Sequence, residues 1–117
     1  MINHVEKLWG SEDWICNTDK YCAKFLNLKR GFACSLHYHK EKDETFYVLE
    51  GTVHLTTPDI DGRTIGVLMQ AGDSIRIKPL TPHRFTSITP TAKILEVSTT
   101  HKDEDTIRIE DSKEIKD

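Results

Sequence analysis

The chain has no apolar run approaching the ~20 residues that a membrane-spanning helix requires. Its N-terminus, Met1-Ile-Asn-His-Val-Glu-Lys7, lacks the apolar segment of a signal peptide. No membrane partner and a cytoplasmic location are the resulting expectations. A basic block is also missing: 16 Lys and Arg stand against 19 Asp and Glu, for a net charge of −3, which argues against a nucleic-acid partner. Cysteine is sparse, and Cys16, Cys22 and Cys34 form an odd set without a Cys-x-x-Cys pair. They read as reduced, partly buried small hydrophobes. Cys34 stands three residues before His37, which puts it on the opposite face of a regular strand and away from that imidazole. Helical periodicity is scarce, and there is no internal repeat.

What is present is a succession of short β-prone segments separated by turn residues. The chain's 117 residues, 37% hydrophobic and 30% charged, suit one compact domain with a modest core. A turn is expected at Gly10-Ser11 and a short strand from Trp14. Tyr21 to Lys29 reads as a strand with Cys22, Lys24, Leu26 and Leu28 on one face and Tyr21, Ala23, Phe25 and Asn27 on the other. Further strands are expected at Phe46–Leu49, Thr52–Thr57, Arg63–Met69, Ser74–Lys78, His83–Ile88 and Lys93–Thr99. The pair Asp61-Gly62 marks a hairpin turn. Even spacing of this kind predicts an all-β barrel or sandwich with little helix. Three stretches follow: N-terminal strands over 1–30, a central core over 31–99, and a charged segment over 100–117. The last six residues read as a solvated tail, with Ile107 and Ile109 available for a short edge strand.

The chemistry concentrates in residues 31–51. His37 and His39 are two apart, so an extended backbone turns both imidazoles to one face. Glu44 follows just before the apolar run Phe46-Tyr47-Val48-Leu49. Two imidazoles and a carboxylate on neighbouring strands supply three ligands of a divalent transition metal. His83, after Pro79 and Pro82, begins another strand one hairpin away and supplies a fourth. Four protein ligands leave positions open on a metal that takes six, which is a catalytic arrangement. His4, His54 and His101 read as structural or solvated. Lys42 reads as a solvated loop lysine. Glu96, inside the apolar strand Ile94-Leu95-Glu96-Val97, faces either solvent or the interior, where it would serve as a base. Arg84 has the opposite parity to His83 and is expected at the surface. Trp9, Trp14, Phe32 and Phe46 read as core.

Gly31-x5-His37-x-His39-x4-Glu44-x6-Gly51 resembles the first cupin motif at every position, and Gly72 to His83 has the span of the second. Within that second span Pro79 is one place late, Thr81 stands for the usual glycine, and Ser87 stands where an asparagine is expected. The resemblance implies a single-domain cupin β-barrel, or jelly roll, with one metal held by His37, His39, Glu44 and His83. Zinc, manganese, iron, cobalt and nickel all suit that set.

A second resemblance runs through Leu8-Trp9-Gly10, Lys24 to Gly31, Pro82-His83-Arg84, Ile94 to Val97 and Asp103 to Asp111. These look like type II mannose-6-phosphate isomerase and lyxose isomerase cupins. After Asp111, however, the chain continues Ser-Lys-Glu-Ile in place of an Asp-Tyr-Gly-Arg-like ending. This resemblance implies aldose–ketose isomerisation of a sugar or sugar phosphate through an enediolate. Glu96 or Glu44 would be the base and Lys42 the shuttle of the hydroxyl proton. It also implies a homodimer. Two alternatives fit the same metal set: a metal-dependent dioxygenase, and a non-catalytic sugar- or small-molecule-binding cupin.

Overall fold

The computed structural model describes residues 1–116. The chain forms strands β1 (Asn3–Lys7), β2 (Gly10–Asn17), β3 (Cys22–Lys29), β4 (Phe32–Ala33), β5 (Leu36–His39), β6 (Glu44–Glu50), β7 (Thr52–Pro58), β8 (Thr64–Gln70), β9 (Ser74–Ile77), β10 (Arg84–Ser87), β11 (Thr91–Ser98), β12 (Thr106–Glu110) and β13 (Lys113–Glu114). The helical content of the described residues is one 3-10 turn at Asp103–Asp105. The all-β expectation therefore holds.

A six-stranded sheet in the order β1-β2-β3-β11-β6-β9 faces a five-stranded sheet, β13-β4-β10-β7-β8, and β5 pairs separately with β12. The inward faces follow from period-2 alternation. On β3 the buried side chains are Cys22, Lys24, Leu26 and Leu28, and on β11 they are Ala92, Ile94 and Glu96. Opposite them stand Val53 and Leu55 of β7 and Phe85 of β10. Phe46 and Phe85 meet edge to face across the sheets, ring centroids 4.5 Å apart, the geometry that aromatic quadrupoles favour. Several core residues, Leu26, Leu28, Phe46 and Phe85 among them, also line a cavity into which the buried polar side chains of β3, β5 and β11 project.

Gly51 carries the chain from β6 in one sheet to β7 in the other. Its φ is +82°, and a Cβ there would lie 2.6 Å from the Thr91 carbonyl oxygen, so both the conformation and the space require glycine. Gly10 is less a turn residue than expected. The reversal occurs at Leu8-Trp9, and Gly10 opens β2 because a Cβ would strike the Asn27 backbone.

The C-terminal segment is more structured than a solvated tail. Ile107 lies in β12, with Thr106 opposite His39 and Arg108 opposite His37. Lys113 and Glu114 of β13 pair with β4. Asp117, the last residue of that expected tail, lies outside the described residues. Arg84 is not solvated either: its guanidinium donates to the Cys34 carbonyl at 2.7 Å, to Glu110 Oε2 at 2.7 Å and to the Asp111 carbonyl at 2.8 Å. It fastens the C-terminal segment to the five-stranded sheet. No helix of the described residues is long and apolar enough to cross a membrane.

Candidate metal centre and its cavity

His37 and His39 project from β5, as their spacing predicts. His83 stands directly opposite His37 across an isolated antiparallel bridge, with His83 N–H donating to the His37 carbonyl at 2.9 Å and His37 N–H to the His83 carbonyl at 3.2 Å. The three imidazoles each bring a nitrogen into a cluster whose ligand atoms lie within 4.8 Å of one another. This cluster can hold a divalent transition metal ion.

The tautomers follow from the hydrogen bonds. His37 Nδ1 lies 2.9 Å from the Ser35 carbonyl oxygen, and His83 Nδ1 lies 2.9 Å from the Thr81 carbonyl oxygen. A carbonyl only accepts, so each Nδ1 carries a proton, and in the neutral imidazole each Nε2 presents a lone pair. His39 Nδ1 meets the Thr106 hydroxyl at 3.1 Å. Burial pushes the His37 imidazolium down to about 4 and that of His39 down to about 2, with the charge of Lys42 adding to the shift at His39. Neutral imidazole is the form that binds metal.

Glu44 opens β6 and is 2% exposed. Its Oε1 lies 3.0 Å from His83 Nε2 and 3.5 Å from His39 Nε2. Neither Glu44 oxygen nor His83 Nε2 has a hydrogen-bond partner. With His83 in the neutral form that binds metal, its Nε2 and the Glu44 carboxylate are two lone-pair acceptors facing one another in a buried place. That arrangement is unfavourable unless a cation joins them, so the residues fit a metal.

A second charged cluster adjoins the first. Lys42 is 3% exposed, and Glu96 is 5% exposed. Lys42 is therefore not the solvated loop residue expected. The Asp105 carboxylate folds its loop inward by accepting from the Glu41 and Lys42 backbone N–H groups at 2.8 and 3.0 Å. Lys42 Nζ then donates to Glu96 Oε2 at 2.7 Å and to His101 Nδ1 at 3.1 Å, and stands 3.5 Å from Glu44 Oε2. Burial alone would raise the Glu96 carboxyl, but Lys42 and Lys24 outweigh it and bring it down to about 2. Burial likewise opposes the Lys42 ammonium, and the Glu96 and Glu44 carboxylates outweigh that effect and raise it. Both members of the pair are ionised at neutral pH.

His101 and Cys34, which read from the sequence as structural, both stand at the cavity. His101 Nε2 donates to Asp103 Oδ1 at 2.9 Å, leaving Nδ1 as the acceptor for Lys42. Cys34 shares the cavity wall with His37 because the strand is broken at Cys34-Ser35, between β4 and β5, so regular parity does not apply. His4 and His54 stay away from the site, as expected: His4 bonds Asp13 and Glu6 at the surface, and His54 packs on Gly66. Trp9 and Phe46 belong to both cavity wall and core, Phe32 packs partly buried against that core, and Trp14 lines the cavity only.

The two clusters line one cavity of about 660 Å³, room enough for a small organic molecule. The protein is thus an antiparallel β-sandwich closed at one end by a three-histidine metal-binding cluster. The chain belongs to the cupin domain family, whose model matches residues 24–98. Among solved structures it is similar to the oxalate decarboxylase of Bacillus subtilis, with a TM-score of 0.81 and 20% identity over 92% of this chain and 30% of that one. The Lactobacillus farciminis oxalate decarboxylase, in a formate complex, gives 0.79 and 20%, over 92% of this chain and 33% of that one. The Bacillus subtilis enzyme has Mn(II) centres. This chain spans about a third of the length of those enzymes, and at such identity the likeness is one of fold. No curated protein sequence matches the chain.

A pH dependence follows for the metal-free protein. His37 and His39 resist protonation when folded but accept protons near their ordinary value of 6.5 when unfolded. Between pH 6.5 and about 4 the unfolded state therefore binds more protons, and stability falls as pH falls. Glu96, held down to about 2, adds a loss in the same direction once the pH drops below the ordinary carboxylate range. Thermal melts of chelator-treated protein should show the midpoint dropping by roughly 5 °C or more from pH 7 to pH 5. A midpoint constant over that interval would contradict buried, neutral imidazoles.

Proposed function

We propose that this chain is a metal-dependent isomerase of small sugars or sugar derivatives, with the ion held by His37, His39, His83 and Glu44. One observation carries the reading: a buried carboxylate, Glu96, is ion-paired to Lys42 on the wall of the same cavity, beside the three-histidine cluster. A bound divalent ion would supply Lewis-acid stabilisation of negative charge developing on substrate oxygens.

The chain's own groups handle the protons. Glu96 takes the proton from the carbon next to the carbonyl and returns it to the neighbouring carbon. Lys42 gives an Nζ proton to the former carbonyl oxygen and regains one from the adjacent hydroxyl, so the proton count closes. These two transfers support each other. At rest the ammonium makes Glu96 a weak base, but as Lys42 gives up its proton the carboxylate loses its counter-charge and its proton affinity rises. Trp9 and Trp14 offer aromatic faces beside the polar groups, a pairing suited to a sugar's apolar ring face and hydroxyl edge.

Glu96→Gln should retain one equivalent of metal, measured by elemental analysis, and lose turnover by at least about 100-fold. The screen is aldoses with and without phosphate, run anaerobically. Conversion without oxygen supports isomerisation. Oxygen consumption with turnover would assign the site to a dioxygenase instead, and full activity in the variant would exclude Glu96 as the base.

The protein would act as a homodimer. Tyr47, Leu49 and Val97 are exposed on the outer face of the six-stranded sheet, an apolar patch that a second copy would cover. Light scattering coupled to size exclusion should give twice the 13.4 kDa chain mass. A monomeric mass would remove this part of the proposal.

A further inference from the structure

The mechanism leaves one buried charge unused. Lys24 is 2% exposed and stands on the inward face of β3. In the register of the six-stranded sheet it lies between Trp14 of β2 and Glu96 of β11. Glu96 Oε2 is nevertheless taken by Lys42 at 2.7 Å. Lys24 has no ion-pair partner among the described residues. Its Nζ rests 3.8 Å above the Trp14 ring and 3.5 Å from His101 Nδ1, a nitrogen that already accepts from Lys42. An ammonium almost wholly removed from water, near the Glu96 charge but with only an aromatic face and a shared acceptor in direct contact, is under-satisfied. It lines the same cavity as the histidine cluster.

The charge balance points the same way. Lys24 and Lys42 cancel Glu44 and Glu96, so a divalent ion at the histidines would leave two positive charges uncompensated inside the cavity. At the rim, Lys7 and Arg108 share the lining with Glu12 and Asp103, two charges of each sign, so the interior surplus is not cancelled there.

We infer that Lys24, seated on Trp14, is the anchor for an anionic oxygen group of the substrate, a carboxylate or a phosphate. The substrate class narrows from neutral sugars to sugar acids or sugar phosphates that present their anion to Lys24 and their carbonyl end to the histidine cluster. Lys24 is a specificity residue in this assignment and takes no part in proton transfer. The inference rests on the cavity being the substrate site, as proposed above.

Trp14 makes the test direct. The chain has two tryptophans, Trp9 and Trp14, so the full-length, isotopically labelled protein shows two indole N–H resonances, assigned with Trp9→Phe. Chelator-stripped protein is titrated with inorganic phosphate, with acetate, and with glycerol as the uncharged control. Phosphate or acetate should shift the Trp14 indole resonance saturably, glycerol should not, and whichever anion binds tighter names the group. Lys24→Met should weaken that binding at least about tenfold, while Lys29→Met, a lysine over the Phe32 ring, should leave it unchanged. Unchanged affinity in Lys24→Met would overturn the assignment. So would a wild-type chain in which neither anion shifts Trp14, or in which the shifts centre elsewhere, and this last reading needs no variant to fold. With metal removed and no turnover measured, the result is independent of whether the protein is an isomerase.

Discussion

Lys42→Met should destabilise the metal-free protein by about 3 kcal/mol or more, because it leaves two buried carboxylates without a counter-charge. Lys42 Nζ holds Glu96 Oε2 at 2.7 Å and stands 3.5 Å from Glu44 Oε2. Removing the ammonium does not remove the desolvation already suffered by either carboxylate. For a domain of this size that loss is a drop of roughly 12 °C or more in melting temperature, out of a total stability on the order of 5–15 kcal/mol. Lys24, the cross-strand neighbour of Glu96, can move toward it and sets the lower end of the range. The double variant Lys42→Met/Glu96→Leu should recover most of the loss, since replacing both partners with apolar groups leaves only Glu44 uncompensated. Thermal melts of wild type, both single variants and the double variant form a cycle whose coupling energy isolates the pair. Additive single effects would mean that Lys42 and Glu96 are separately hydrated and that the ion pair contributes nothing to the fold.

The same residues show where sequence reasoning reaches and where it stops. His37 and His39 needed only the two-residue period of a strand, and β5 delivers it. Glu96 was undecidable from its own strand, because Ile94 and Leu95 make both faces of β11 apolar. The inward choice is settled by Ala92 and Ile94 packing against the other sheet. Lys42 belongs to no strand and so has no parity. Its burial is set by Asp105, more than sixty residues away, a contact that no local pattern encodes. Cys34 departs from the alternation because it falls in the break between β4 and β5. For Lys24 the sequence shows its face-mates but not which face of the strand turns inward. The alternation groups Lys24 with Cys22, Leu26 and Leu28, and once the structure turns that face inward the buried charge is a signal of a site. What the pattern could not supply was its surroundings, which depend on the β2–β3–β11 register.

Glu44→Gln should move two properties in opposite directions. In the metal-free protein with a neutral His83, Nδ1 is committed to the Thr81 carbonyl and Nε2 offers a lone pair to a carboxylate oxygen 3.0 Å away. Two acceptors at that distance repel, and neither has another partner. A glutamine amide replaces one of them with an N–H that can donate to His83 Nε2. The variant should therefore melt higher than wild type when both are metal-free, by an amount corresponding to about 1 kcal/mol, the net worth of one buried hydrogen bond. The cost appears on adding metal. An amide is a far poorer ligand than a carboxylate for a divalent ion held by imidazoles, and affinity should fall by at least about 100-fold, more than the loss of a supporting partner causes. At a metal concentration near 100 times its dissociation constant the wild type gains about 2.7 kcal/mol, and the variant should gain almost none of it. The order of melting temperatures then reverses between chelator and metal. His83→Ala separates the causes, since it should lose metal binding without the compensating hydrogen bond and melt below wild type under both conditions. If Glu44→Gln instead melts lower without metal and binds it as tightly as wild type, Glu44 is a structural carboxylate, and the ion, where present, belongs to the three histidines alone.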